Sequence, residues 1–127
     1  MKSAVLLAAT GLVTALLVVG VVWKFVAPKI VRFETPFQAV LLDNGQVYYG
    51  KIQGLGSPFP ILEEIYYVQD QVDPDTKQVK HILVRRGSEW HAPDRMVINS
   101  SHIILVEPVT PGSKVAKLIE DLNRKPQ

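Results

Sequence analysis

Residues Ala4 to Trp23 form an apolar run of twenty positions, mostly Ala, Val and Leu, with no charged side chain. At about 1.5 Å per residue, a helix of this length extends about 30 Å, which matches the hydrocarbon core of a bilayer. The run therefore predicts a transmembrane helix. It also restricts the rest of the 127-residue chain to one small tethered domain.

The same run has a second interpretation, as a secretory signal. Lys2 precedes the apolar segment, and Val18, Val19 and Gly20 are tolerable at a signal cleavage site. The apolar stretch is longer than the usual signal core of roughly 7 to 15 residues. Its length favours a retained anchor.

Small side chains recur along the run at helical spacing, and a threonine lies beside them. A face of small residues lets another membrane helix approach closely, and a hydroxyl adds an interhelical hydrogen bond. The predicted partners are membrane lipid and other membrane-protein subunits, in a hetero- or homo-oligomer. The predicted packing residues are Ala4, Ala8, Gly11, Ala15 and Thr14.

Aromatic and basic residues follow the run, as is typical of a membrane interface. The positive charges on its two sides slightly favour a cytoplasmic domain, whereas the short basic leader is typical of a signal anchor that exports the domain on its C-terminal side. We expect a single-pass protein of a bacterial inner membrane with its domain outside the cytoplasm. The predicted interface residues are Trp23, Lys24, Phe25, Lys29 and Arg32.

The charge of the chain is divided unevenly. Four of the fourteen Lys and Arg residues flank the apolar run, so residues 33–127 hold ten basic against twelve acidic side chains. Because binding to nucleic acid relies on clustered positive charge, no nucleic-acid partner is expected. The chain has no cysteine, which excludes disulfides and thiolate metal sites.

Residues 37–109 predict a β-domain of five or six short strands. Asn44-Gly45 predicts a two-residue hairpin turn in which both residues have positive φ. Residues 54–60 contain two glycines and two prolines and predict a loop, and Ile61 to Val72 predicts a long strand.

A helix is predicted near the C-terminus. Ser113 is a candidate N-cap, and an apolar stripe at helical spacing comes after it: Val115, Leu118, Ile119 and Leu122. The predicted fold class is an N-terminal transmembrane helix followed by a small, mainly β domain, an SH3/Sm-like barrel or sandwich, with a C-terminal amphipathic helix packed on it. The predicted segments are an anchor (1–28), a neck (29–36), the β-domain (37–109) and the helix (110–127).

Aromatic residues are the candidate partner-binding positions. Two tyrosine pairs lie on predicted strands, where alternation turns one ring of each pair inward and one outward. Pro58-Phe59-Pro60 is a stiff loop that either presents a ring to a partner or plugs one end of the domain, and Trp90 is expected in the core. The predicted partner-binding residues are Tyr48, Tyr49, Pro58, Phe59, Tyr66 and Tyr67.

No motif predicts catalysis. His81, His91 and His102 have spacings that match no metal-ligand pattern, and no serine lies in a nucleophile elbow. We therefore predict no catalytic residue, no metal and no cofactor, and we expect a protein that is not an enzyme.

Three segments resemble a family of small, functionally uncharacterised single-pass bacterial membrane proteins with an NGQVYYGK-type hairpin. These are Ala39 to Ile52 (AVLLDNGQVYYGKI), Gly87 to Pro108 (GSEWHAPDRMVINSSHIILVEP) and Ser113 to Leu122 (SKVAKLIEDL). The first hairpin also loosely resembles that of Sm-like proteins. The resemblance implies an anchored β-domain but no activity.

Together these features predict a non-enzymatic accessory or scaffolding subunit of a larger bacterial membrane protein complex. Its helix would pack in the membrane and its β-domain would dock on partner subunits. The alternative is a membrane-tethered Sm/SH3-like module that binds a peptide or a nucleic acid.

Overall fold

The computed structural model describes residues 1–26 and 31–124, without the side chains of residues 2–12 and 25. Helix α1 (Lys2–Val26) precedes a β-rich region, and helix α2 (Lys114–Arg124) ends it. The strands are β1 (Gln38–Leu42), β2 (Val47–Gln53), β3 (Ile61–Val72), β4 (Val79–Arg85), β5 (Arg95–Val97) and β6 (Ile103–Pro108). A 3₁₀ turn (Ser100–His102) leads into β6.

The strands form one antiparallel sheet in the order β4-β3-β2-β1-β6, and β5 pairs with the first residues of β3. Strands β1 to β4 are joined as consecutive hairpins, and β6 returns beside β1. The molecule is therefore a small antiparallel β-sheet domain with two helices.

The β1–β2 hairpin has a three-residue loop instead of the predicted two-residue turn. Gly45 N–H donates to Leu42 O at 3.0 Å, and Leu42 N–H donates to Gln46 O at 2.9 Å. Only Gly45 of this loop has positive φ, at 81°. A three-residue loop consists of a type I turn, whose residues have negative φ, followed by one left-handed residue at the bulge position. The Asn44 side chain then accepts a hydrogen bond from Gln46 N–H at 3.0 Å.

A bulge in β3 bends the sheet opposite Gly50. Tyr49 pairs with Tyr66 and Lys51 with Glu63, so two β3 residues, Glu64 and Ile65, lie opposite the single residue Gly50. Glu64 has φ of 47°. A Cβ added at Gly50 would lie 2.8 Å from Glu63 O and 2.9 Å from Leu62 Cγ, so the two strands approach too closely for any side chain.

The bulge lets two β3 residues that are three positions apart face the same side of the sheet. Leu62 and Ile65 both belong to the core with Val40 and Ile98, although strict alternation would place residues three apart on opposite faces. We call this side the core face. Its partly buried members are Leu42, Tyr48, Ile52, Met96, Ile103 and Val106.

Tyr66 lies on the opposite side, which we call the helix face, and α2 packs there near β4. The Tyr66 side chain is fully buried, its ring meets Phe37 edge to face at 6.0 Å, and its hydroxyl donates to Asn123 Oδ1 at 2.7 Å. Ile119 is the buried residue of α2. Ser113 Oγ accepts a hydrogen bond from Ala116 N–H at 3.2 Å, which confirms the predicted N-cap.

The prediction of a transmembrane anchor is contradicted. Among the described residues, no helix combines the length and the apolar character needed to cross a bilayer. The predicted single-pass topology and inner-membrane location are contradicted with it.

The residues predicted to pack in a membrane or to lie at its interface are only partly described by the structure. Thr14, Ala15, Trp23, Lys24 and Arg32 are exposed. The side chains of Ala4, Ala8, Gly11 and Phe25, and Lys29 as a whole, lie outside the described residues.

Replacing Gly50 with alanine is expected to destabilise the domain, because the new methyl group would overlap Glu63 O and Leu62 Cγ. Overpacking of this kind costs about 1–3 kcal/mol. The urea midpoint of G50A should fall accordingly. The control is G20A, whose added methyl group meets nothing within 4 Å, and an unchanged midpoint in G50A would contradict the close approach.

The Tyr66–Asn123 hydrogen bond is expected to couple α2 to the sheet. A double-mutant cycle with Y66F and N123A should give a coupling free energy of about 1 kcal/mol, the usual net value of one hydrogen bond. The measurement is urea denaturation of the four proteins. Additive effects of the two substitutions would show that this contact does not hold the helix.

Candidate functional site

The structure disperses the six predicted partner-binding residues. Tyr66 is buried and makes no surface. Tyr48 and Tyr67 are half-buried cross-strand partners whose rings meet edge to face at 6.3 Å, and Tyr49 is half-buried on the other face. Pro58 and Phe59 are exposed, Phe59 at 62%. The proline-flanked loop therefore presents its ring outward, whereas the tyrosines mainly pack against the sheet.

Trp90 lies outside the core, contrary to the prediction. Its relative exposure is 106%, the largest of any tryptophan, tyrosine or phenylalanine whose side chain the structure describes. Because the indole is fully solvated, it adds no hydrophobic stabilisation to the fold. Burial of the same ring against a partner would contribute strongly to binding. Trp90 is therefore the most prominent exposed aromatic residue of the described part.

Trp90 is carried by residues 86–94, which we call the Trp90 loop. The loop is fixed at its start, where Arg86 N–H donates to Ile65 O at 2.8 Å. Within it, Glu89 Oε2 accepts from Gly87 N–H at 2.7 Å, and Glu89 O accepts from Ala92 N–H at 2.7 Å. These contacts turn the chain tightly and hold Trp90 at the tip.

A cleft of about 490 Å³ lies between the Trp90 loop and the bulge of β3. This volume is within the range of small-ligand sites. Both arginines at the end of β4 contribute to its wall. The lining residues are Glu64, Ile65, Arg85, Arg86, Gly87, Ser88, Ala92, Pro93 and Asp94.

Arg86 is the most deeply placed charged residue of the cleft, with a side chain only 22% exposed. Its guanidinium carbon lies 5.9 Å from the centre of the Tyr48 ring, a cation–π distance. Its Nε lies 3.4 Å from Glu89 Oε1, but the geometry is not that of a hydrogen bond. Nε is the one buried side-chain polar atom of the described residues that has no hydrogen-bond partner.

The acidic residues around the cleft have partners of their own. Glu64 is paired with Lys51, and Asp94 binds Arg95 through two nitrogen–oxygen contacts of 3.2 and 2.9 Å. The Arg95 side chain, through hydrogen bonding first and charge second, lowers the pKa of Asp94. The pKa of Glu89 is lowered chiefly because its carboxylate accepts the Gly87 N–H. The carboxylates of Asp94 and Glu89 are therefore ionised and engaged at neutral pH.

Backbone strain is concentrated at the same place. Three described residues other than glycine have positive φ, and two of them, Glu64 (47°) and Ala92 (41°), line the cleft. The third, Lys77, closes the β3–β4 hairpin. Such conformations cost of the order of 1–3 kcal/mol each and cluster at ligand sites.

A second cleft, of about 520 Å³, lies where the chain enters the domain, between residues 31–38 and 51–54. Its buried polar residue is Gln38, whose Nε2 donates to Thr35 O at 2.6 Å and whose Oε1 accepts from Ile52 N–H at 3.1 Å. Because both ends of this amide have protein partners, the second cleft presents no comparable unfilled polar group.

None of the three histidines is among the lining residues of the first cleft. His81 Nδ1 is 2.5 Å from Asp70 Oδ1 on the β3–β4 hairpin, and His102 Nδ1 is 2.7 Å from Asp43 Oδ2 near the first turn. His91 is exposed beside Trp90. No group of three or more metal-ligating side chains is found among the described residues.

Comparison of the chain with protein-family models and with curated proteins finds no match. The candidate site is therefore defined by geometry alone.

This cleft was not predicted from the sequence, because its walls come from distant segments. The signals available were the Arg85-Arg86 pair before Gly87 and the Gly87 to Pro93 bracket, both typical of a loop that comes after a strand. The bulge at Glu64, which forms the other wall, carries no glycine that would reveal a positive φ.

The carboxylate of Glu89 is expected to titrate below its reference value of 4.5, because it is ionised while it accepts the Gly87 N–H. A carboxylate with a lowered folded-state pKa stabilises the fold above the unfolded pKa, and this contribution is lost as the pH falls through the folded value. Carboxyl ¹³C NMR titration measures it directly. Because the backbone bond is the larger cause, R86Q should leave most of the shift, and a midpoint at or above 4.5 in the wild type would contradict the turn.

Proposed function

We propose that this protein is a non-enzymatic interaction module that binds a partner protein through the Trp90 loop and the adjoining cleft. The observation that carries the proposal is the full exposure of Trp90 on a loop held by defined hydrogen bonds. Tryptophan is the residue type most enriched among positions that dominate binding energy at protein interfaces.

The anchoring of the loop supports this function. Arg86 N–H and the Glu89 carboxylate hold both sides of the turn, so the indole is displayed without ordering a long flexible segment on binding. Preorganisation of this kind reduces the entropic cost of association. A stiff loop with one large exposed ring is typical of an anchor that inserts into a pocket of a partner.

The charge distribution supports a protein partner over a nucleic acid. Residues 33–127 hold ten basic against twelve acidic side chains, whereas nucleic-acid binding depends on neutralising phosphates with clustered Lys and Arg. Several of the basic side chains near the cleft are already paired with carboxylates, among them Lys51 and Arg95.

The proposal predicts that the partner can be crosslinked from position 90. A photoreactive phenylalanine analogue replaces Trp90 in cells that naturally express the protein, and the crosslinked protein is identified by mass spectrometry. The purified pair is then compared by calorimetry with the W90A variant. Removal of an interface anchor costs at least about 2 kcal/mol, so W90A should bind about 30-fold more weakly.

The matched control is Val97 of β5, which is 63% exposed but lies on a strand outside the loop. The V97A variant should bind like the wild type. Affinity of W90A within twofold of the wild type, or crosslinks from position 97 and none from position 90, would refute the proposal.

A further inference from the structure

We propose that the cleft beside Trp90 binds a carboxylate of the partner, and that Arg86 and Arg85 supply the donors. This inference rests on the proposed function and assigns the chemistry that the cleft recognises. The group bound is a carboxylate, carried either by the C-terminus of a peptide or by an Asp or Glu side chain.

Arg86 lines the cleft and has an unfilled donor buried beside it. Its Nε is buried without a hydrogen-bond partner among the described residues, in a side chain that lines the cleft. The Nε and Nη groups of an arginine form a planar fork whose spacing matches the two oxygens of a carboxylate. A carboxylate in the cleft would therefore pair with the guanidinium of Arg86, a residue that lines it.

Glu89, the nearest carboxylate of the chain itself, cannot take this role. Its Oε2 is held by Gly87 N–H at 2.7 Å, which leaves Oε1 at 3.4 Å from Arg86 Nε in poor geometry. Glu89 offsets the charge of Arg86 but does not satisfy its donor. The guanidinium itself is fixed over the Tyr48 ring, so it is already oriented before a ligand arrives.

The balance of charge in the cleft also favours an anion. Glu64, Glu89 and Asp94 are each paired with a basic side chain. Arg85 also lines the cleft, and within residues 31–124 no ion pair is found for it. The cleft therefore has one uncompensated positive charge beside one unfilled guanidinium donor, which attracts an anionic ligand.

The position of Trp90 fits a peptide as the carrier of the carboxylate. The indole lies on the loop that forms one wall of the cleft but is not among the lining residues, so only a ligand that extends beyond the cleft, such as a peptide, contacts both Trp90 and Arg86. The cleft volume of about 490 Å³ accommodates a terminal residue or a single acidic side chain.

The test observes the Arg86 Nε–H resonance by ¹H–¹⁵N NMR, assigned by its disappearance in R86Q. The probes are a mixture of synthetic hexapeptides with free C-termini and neutral side chains, the same mixture amidated, an amidated mixture containing Asp or Glu, and inorganic phosphate. We expect a saturable shift of the resonance with the peptides that have free C-termini, with the amidated peptides that contain Asp or Glu, or with both. The amidated peptides with neutral side chains should cause no shift. A response to the free C-termini assigns the carboxylate to a peptide end, and a response to the Asp or Glu peptides assigns it to a side chain.

The variants separate charge from geometry. R86K keeps the charge but lacks the fork, and it should bind the responding peptides at least tenfold more weakly. Because Arg86 is largely buried, R85Q provides a second variant on an exposed side chain, also expected to weaken binding, and urea midpoints report whether each variant folds. R124Q, on the exposed surface of α2, is the matched control and should bind normally.

A resonance that no probe shifts, or one that phosphate saturates at lower concentration than every peptide, would overturn the carboxylate assignment. So would equal affinity of wild type, R86K and R85Q. These results are independent of W90A. Loss of partner binding in W90A with an unresponsive Arg86 would retain the interaction module and refute only the carboxylate site.

Discussion

The close approach of β2 and β3 at Gly50 is the constraint on which the rest of this domain depends. The absence of a side chain there lets Glu63 O and Leu62 come within the distance at which a Cβ would overlap them. The opposite strand accommodates this contact with one extra residue, and the sheet bends.

The same bulge connects the core to the candidate site. Ile65 faces the core, and its carbonyl oxygen accepts the Arg86 N–H that anchors the Trp90 loop. Glu64, held at positive φ, forms the adjoining wall of the cleft and is paired with Lys51 on β2. The site is thus built on the most constrained point of the sheet, which positions Arg86 more accurately than a free loop would.

Local sequence patterns predict the elements whose structure depends mainly on their own residues. The β-branched and aromatic run from Ile61 to Val72 forms β3 with those bounds, and Ser113 caps α2 because its hydroxyl reaches Ala116 N–H. Patterns fail where the outcome depends on distant contacts. The apolar character of Trp90 predicts a place in the core, yet its position is set by the turn around Glu89, and the left-handed Glu64 has no local signal. The apolar N-terminal run predicted a membrane-spanning helix from the hydrophobicity of its side chains alone. Among the described residues, no helix meets the requirements for such a span.

The extra residue in β3 also determines which sequence changes this chain can accept during evolution. If β3 kept its length but alternated strictly, without the bulge, Tyr66, which lies four positions after Leu62, would turn to the core face with the rest of the strand beyond it. The tyrosine hydroxyl would then enter the apolar interior, and Asn123 would lose its donor. Homologous chains that keep this architecture should accordingly vary in length at the hairpin tips, and a one-residue gap inside β3 should fall at the bulge, where it leaves the pairs on either side unchanged.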